Sequence, residues 1–274
     1  MLKRTFVHLP GVGFRTEAHF WRQGLVTWED FLVVEGVSGL GSARLRWLQA
    51  ELQQSLVHLD EPGYFAPRLP VGEYWRAFRH FRAKAAYLDI ETSGASWPHL
   101  LVTVVGLYDG RAMRQFVQGH NLEEFPEALE DVDLIVTFNG SQFDLPVLKA
   151  YFPHLRLPPL HLDLRFLLTR LGFKGGLKRI EPRFGIRRPP AVEHLDGYDA
   201  VLLWERYQRG DRTALDLLLE YNREDVANLE TLMEQAFEMC QGLLVGGGPG
   251  DKLSAFNSQL SAIKKKRLKL TAES

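Results

Sequence analysis

Ala85-Ala86-Tyr87-Leu88-Asp89-Ile90-Glu91-Thr92 is an apolar run of strand character that carries two acids at its far end. Side chains two positions apart in an extended chain leave the same face of a sheet, so Asp89 and Glu91 converge on one point. An acid pair at a strand-to-loop junction is common on ordinary protein surfaces, and the flanking segments decide how this one is read. Downstream, residues 100–108 and 111–117 read as two more strands joined through Asp109-Gly110, a pair suited to a tight type I′ turn. A helical stretch at 122–130, a buried-type strand at 134–138 and a helix from about Phe143 follow. This alternation predicts an α/β fold with a mixed sheet flanked by helices, and the remaining chain reads as mainly helical to Cys240.

Upstream, residues 5–59 have a helical pattern broken by Pro10-Gly11-Val12-Gly13 and Ser38-Gly39-Leu40-Gly41. Three prolines and a glycine between Glu61 and Pro70 favour an extended linker, with a short helix around 74–81. The expected organisation is a helical accessory domain at 1–60, a linker and short helix at 61–83, an α/β domain at 84–240 and a flexible basic tail at 241–274. Its markers are Gly246-Gly247-Gly248-Pro249-Gly250 and Lys264-Lys265-Lys266-Arg267.

With 274 residues, 45% of them hydrophobic, the chain can bury one substantial core and a smaller one. A formal net charge of -1 gives no global basic signature, so contact with nucleic acid would depend on local patches. Cys240 is the single cysteine, which excludes an intrachain disulfide and a cysteine zinc site and fits a reducing, cytoplasmic setting. No apolar stretch approaches membrane-spanning length, so a soluble protein without an export signal or membrane partner is expected.

Two further segments supply acids. The turn Asn139-Gly140-Ser141-Gln142-Phe143-Asp144 follows the strand at 134–138, where α/β sheets commonly place ligands, although Asp144 also suits a helix cap. The amphipathic segment 213–239 sets Tyr221 and Asp225 four residues apart on one helical face, which also suits a half-buried tyrosine beside a solvated acid. Four clustered carboxylates repel one another unless cations neutralise them, and an all-oxygen donor set selects Mg²⁺ or Mn²⁺. Two such ions about 3.5 to 4 Å apart suit in-line hydrolysis of a phosphodiester.

Asp89-Ile90-Glu91-Thr92, Asn139-x-x-x-Phe143-Asp144 and Tyr221-x-x-x-Asp225 resemble, in chain order, the three exonuclease motifs of the DEDD superfamily. Their detail is similar to the proofreading domain of family B DNA polymerases. Glu220 occupies the position where the histidine subclass has its catalytic histidine, so the pattern resembles the tyrosine subclass. Over residues 84–237, with the Pro-Gly-Val-Gly segment in front, the chain resembles the YprB-like family of ribonuclease H-like nucleases. The resemblance implies a ribonuclease H-like fold and a two-metal 3′-to-5′ exonuclease that releases nucleoside monophosphates. It further implies that Asp89 bridges both ions, Glu91 and Asp225 complete the first, Asp144 supports the second and Tyr221 positions water. An unperturbed tyrosine titrates near about 10, which favours positioning over proton removal. DNA is favoured over RNA, because motifs II and III look most like those of the proofreading domain.

Thr92, Asn139, Phe143 and Lys178 are the substrate-binding candidates, with bland alternatives in loop packing, a turn amide, a core ring and a solvated charge. Ser93 and Gly94 are small enough for backbone approach to a terminal sugar, and Trp97 offers a stacking surface. Lys174, Lys178, Arg179, Arg183, Arg187 and Arg188 form the best phosphate-tracking segment. Asp163 suits a helix N-cap and stays outside the catalytic set; His154, His161 and His194 lack metal-ligand spacing. Pro10-Gly11-Val12-Gly13 resembles a helix-hairpin-helix turn that offers amides to phosphate, a role that such turns share with simple helix connection. Two other functions fit the same residues: an endonuclease on the same fold, and a nucleic-acid-binding module without turnover.

Overall fold

A computed structural model describes residues 1–95 and 99–245; Trp97 and the expected tail markers at 246–250 and 264–267 lie outside the described residues. The helical region at the N-terminus contains α1 (Phe14–Arg22), α2 (Trp28–Leu32), α3 (Ser42–Val57), α4 (Pro62–Phe65) and α5 (Phe78–Phe81). Five strands follow, β1 (Ala85–Thr92), β2 (Val102–Tyr108), β3 (Met113–Val117), β4 (Leu134–Thr137) and β5 (Leu160–Asp163). Their helices are α6 (Asp144–Tyr151), α7 (Leu164–Arg170), α8 (Leu177–Ile180), α9 (Gly197–Gln208) and α10 (Arg212–Val245). The sheet order is β3-β2-β1-β4-β5, with β1 antiparallel to β2, β2 antiparallel to β3, and the β1-β4 and β4-β5 pairs parallel. It is the mixed, helix-flanked sheet of the ribonuclease H-like fold, preceded by a helical region.

Strand β1 sits at the centre, and its alternation sorts the two faces. Ala86, Leu88 and Ile90 pack with Leu145 and Leu148 of α6 and with Phe125. Ala85 and Tyr87 point to the other face, in the cluster with Val226, Leu229 and Met233 of α10. Burial of each such large aliphatic side chain contributes about 1.5–3 kcal/mol, so α10 is held firmly on the face that Asp89 and Glu91 share.

Residues 61–83 do not form a free linker. Pro62, Pro67 and Pro70 break the segment into short helical turns, but Phe65, Leu69, Trp75, Phe78 and Phe81 are all buried. They join Trp28, Leu48 and Leu52 to Ala85, Leu134 and Phe237 in one continuous apolar core. Buried charge reinforces the seam. Glu17 accepts from the amides of Phe6 (2.6 Å) and Val7 (3.2 Å) and from Arg76 Nη1 at 2.8 Å. Glu73 accepts from Arg76 Nε at 2.5 Å and from Arg170 Nη1 at 2.7 Å, which ties the N-terminal helices to α7.

Three local expectations differ from the structure. The strand β5 was not anticipated, because a four-residue Leu-His-Leu-Asp run after Pro158-Pro159 carries too little periodicity to announce a strand. Residues 122–130 hold two single turns of 3₁₀ helix on either side of Pro126 instead of one helix. The β2-β3 connection is a four-residue loop: Tyr108 pairs with Met113, and Asp109 Oδ1 accepts from the amides of Arg111 (2.9 Å) and Ala112 (2.8 Å). Only Gly110 in that loop has positive φ, at +85°, whereas a type I′ turn needs two such residues. Among the described residues no helix is long and apolar enough to cross a membrane.

Candidate active site

The far end of β1 faces α10. A bulge between Glu91 and Thr92 shifts the pairing with β2 there, a distortion that strands use to redirect side chains. Residues Tyr221 and Asp225 lie one turn apart on α10, and one ligand atom each from Asp89, Glu91 and Asp225 lies within 4.8 Å of the others. The helix approaches this closely because Gly106, directly across from Asp89 on β2, has no side chain. A Cβ at Gly106 would come within 2.2 Å of Asn222 Oδ1 and 2.7 Å of Val226 Cγ2.

Asn222 is the residue that sequence reasoning missed. It is buried, accepts from Gln115 Nε2 at 3.1 Å, and its Nδ2 points at Asp89 O (3.5 Å) and Oδ2 (3.4 Å). A polar residue beside Tyr221, facing a lone glycine in an apolar strand, was the available signal. Gly106→Ala should therefore push α10 off the sheet, at about 1–3 kcal/mol for overpacking. An unchanged melting temperature in that variant would refute the close approach.

Motif II is built differently from a simple cation ligand. Asn139 has φ +69°, the only positive φ outside glycine among the described residues, a conformation asparagine tolerates better than most. Its amide donates to Asp163 Oδ1 at 2.8 Å, while the Ser141 amide and Oγ donate to Asp163 Oδ2 at 3.1 and 2.6 Å. Asp163 also caps α7 through the Arg165 amide at 3.1 Å, and Arg165 Nη1 donates to the side chains of Asn139 and Gln142. The expected cap is thus also the fastening of the whole turn. The Asn139 amide is engaged in fixing that turn, and Phe143 is 41% exposed instead of joining the core.

The turn aims Asp144 at the back of β1. Pairing with β4 ends at Tyr87, so the Ile90 amide lies beyond the ladder, and Asp144 Oδ1 accepts from it at 3.2 Å. Asp144 is buried beside the three acids but outside their 4.8 Å group.

Burial raises the pKa of Asp89 well above the carboxylate range, and Asp225, Asp144 and Glu91 raise it further. Glu91 rises for the same leading reason, with Asp225 next. Burial also raises Asp225, although Arg188 opposes it, and burial takes Asp144 up to about 7. Oxygen Oε1 of Glu91 is buried without a hydrogen-bond partner. An orphaned carboxylate oxygen among acids whose charges repel is the environment that a hard divalent cation satisfies, so the donor set fits Mg²⁺ or Mn²⁺.

A consequence for stability follows from the sign of these shifts. The folded, metal-free protein holds protons on these acids more tightly than the unfolded chain does. That contribution is complete below the unfolded values near about 4 and is lost as pH rises through the raised folded values. Cation binding needs the ionised acids, so the rise in melting temperature on adding Mn²⁺ should grow between pH 5 and pH 8. An equal rise at both pH values would show that the cation binds elsewhere.

The basic segment divides into two roles. Lys174, Arg179, Arg183 and Arg187 are exposed. Arg188, expected among the phosphate-tracking charges, is instead buried, and its guanidinium donates to Glu181 and Asp225. Lys178 lines the cleft with Asp89, Gly176, Tyr221 and Asp225. Its Nζ is buried, has no hydrogen-bond partner and lies 4.2 Å from the centre of the Tyr221 ring. Burial pulls the lysine pKa down, against the attraction of Asp225. Burial pushes the Tyr221 hydroxyl far above its ordinary pKa, with Asp225, Glu91 and Asp89 adding to the shift, so it stays protonated at neutral pH. Among the described residues, His154, His161 and His194 join no group of acids that could hold a metal; His161 Nε2 hydrogen-bonds Thr137 Oγ1 at 2.9 Å.

The family model of the RNase H superfamily matches residues 86–237. No curated protein matches the sequence. The family B DNA polymerase from the hyperthermophilic archaeon Pyrobaculum calidifontis superimposes with a TM-score of 0.47 at 19% identity, over 57% of this chain and 24% of the polymerase. Escherichia coli RNase D, an exoribonuclease involved in structured RNA processing, gives a TM-score of 0.40 at 19% identity, over 62% of this chain and 46% of its own. Brucella melitensis NrnC with bound Mg²⁺ gives a TM-score of 0.40 at 20% identity, over 72% and 91% of the two chains. The chain therefore spans less than half the length of the first two.

Proposed function

This chain belongs to the RNase H superfamily, and on that premise we propose that it is a metal-dependent 3′-to-5′ exonuclease of the DEDD tyrosine subclass, related to the YprB-like nucleases and acting on DNA in preference to RNA. The observation that carries the reading is the convergence of Asp89, Glu91 and Asp225 within 4.8 Å, with Tyr221 one turn from Asp225. Two divalent cations held by these acids would supply Lewis acidity and the charge that makes water a competent nucleophile. Asp89, Glu91 and Asp225 would hold these cations between them. Asp144 fixes the end of β1 through Ile90 and would add a further carboxylate toward the cations. The protonated Tyr221 hydroxyl orients the attacking water. Lys178, with an unpaired ammonium at the cleft wall, receives the scissile phosphate. Thr92 at the bulge and the exposed Phe143 ring flank the place for the terminal nucleoside, and Asn139 contributes by holding the turn between them.

The preference for DNA rests on the likeness of motifs II and III to a polymerase proofreading domain. Residues 84–240 carry the chemistry in this reading, and 1–60 form an accessory domain whose glycine turns offer backbone amides to phosphate. Gly11 and Gly39 there have φ of +72° and +78°. The free, buried Cys240 supports a reducing, cytoplasmic location.

The decisive experiment compares linear and circular strands of DNA and RNA with Mg²⁺ or Mn²⁺. A 5′-labelled linear strand should give a descending ladder, and a 3′-terminal label should appear at once as a mononucleotide. Circles should survive. Efficient cutting of circles would establish an endonuclease instead, and binding without any cleavage a silent module.

A further inference from the structure

The clearest feature that the proposed mechanism leaves unused is the buried Arg188. Its Nε and Nη2 donate to Glu181 Oε2 at 2.7 Å and Oε1 at 2.6 Å, and Nη2 also donates to Asp225 Oδ1. Glu181 accepts in addition from Asn228 Nδ2, at 3.1 Å, which anchors it to the same helix that carries Asp225. The loop between the two partners is closed. Gly185 takes a left-handed conformation at φ +74°, and the Ile186 amide donates back to Glu181 O at 3.1 Å. The chain therefore spends a buried acid and a buried arginine on a single carboxylate of the cluster.

Two physical effects compete at such a site. A lone guanidinium beside Asp225 would occupy it in place of a cation and repel any cation that arrived. Glu181 cancels that charge by a two-point contact, so the pair as a whole brings little net charge to the site. What remains is geometry: the planar fork fixes the orientation of the Asp225 carboxylate, which groups with Asp89 and Glu91. Resting on the reading of Asp89, Glu91 and Asp225 as cation ligands, we propose that Glu181 and Arg188 form a charge-balanced clamp that orients Asp225 for the metal. Both are positioning residues, since neither reaches the cleft itself.

The test is Mn²⁺ binding to the full chain by isothermal titration calorimetry, with folding checked by circular dichroism. R188K keeps the charge but cannot fork between two carboxylates, and E181Q leaves the guanidinium unbalanced on Asp225. Each should weaken Mn²⁺ binding by about 10- to 100-fold, the scale on which partners of metal ligands act. The double variant E181Q/R188M keeps the net charge of the pair and removes the fork; it should remain weaker by about tenfold or more. Recovery of wild-type affinity in the double variant would overturn the orienting role in favour of charge balance alone. Affinity within twofold of wild type in R188K and E181Q, even with a lowered melting temperature, would reduce the pair to a structural contact. Should R188K fail to fold, E181Q and the double variant decide together. If the wild-type chain shows no saturable Mn²⁺ binding, the cation reading itself falls and takes the clamp with it.

Discussion

Asp89→Asn should lower hydrolysis on the order of 10³-fold, the scale on which loss of a group that stabilises developing charge is felt, while raising the melting temperature of the metal-free protein at pH 8. The two effects have one cause. Asp89 is crowded by Asp225, Asp144 and Glu91 in a buried setting that disfavours its charge. Neutralising it removes one member of a mutually repelling set, and relief of about 1 kcal/mol would shift the transition by about 2–4 °C. The same change takes away a carboxylate that would hold the cations, so Mn²⁺ should no longer stabilise the fold. Amide and acid are nearly isosteric, and Asn222 remains beside position 89 on either side chain. A metal-free variant that melts earlier than wild type at pH 8 would mean that the Asp89 carboxylate is structural. Turnover within tenfold of wild type would remove it from the ligand set.

How much of this arrangement could be read in the sequence depends on the range of the interaction involved. The period-two pattern around Asp89 and Glu91 and the one-turn spacing of Tyr221 and Asp225 are local, and β1 and α10 carry them as expected. The mixed sheet followed from strands long enough to show alternation. The strand β5 did not, because four residues after Pro158-Pro159 carry almost no period, and its edge position is decided by pairing with β4. Long-range partners were equally hidden. Arg188 sits in a run of basic residues that reads as a solvated face, yet Glu181 and Asp225, brought together by the Gly185 turn and α10, take it inside. Asp144 reads as a ligand by position, but only the end of the β1-β4 ladder creates the free Ile90 amide that it accepts from. Asn222 and Gly106 are uninformative separately, and their meaning appears when β2 and α10 are laid face to face.

Tyr221→Phe separates chemistry from packing at a position where the sequence supports both. The ring is buried among Val104, Val117 and Leu218, and Lys178 stacks on it, contacts that phenylalanine keeps. Folding stability, Mn²⁺ affinity and substrate affinity should therefore stay within about twofold of wild type. The hydroxyl is a different matter. It lies toward Asp225, Glu91 and Asp89, whose charges together with burial hold it protonated across the neutral range, so it can donate or accept a hydrogen bond but cannot serve as a base there. Losing a group that fixes the nucleophile's direction should cost about 10²- to 10³-fold in kcat with little change in KM. The alkaline limb of the pH-rate profile should be unmoved, because no tyrosine ionisation contributes to it in the wild type. A parallel Tyr221→Leu variant removes the ring as well and should disturb Lys178 and the melting temperature, which calibrates what a packing defect looks like. Equal turnover in wild type and Tyr221→Phe would return the residue to the core, and a raised KM at constant kcat would make its hydroxyl a substrate contact instead of a guide for water.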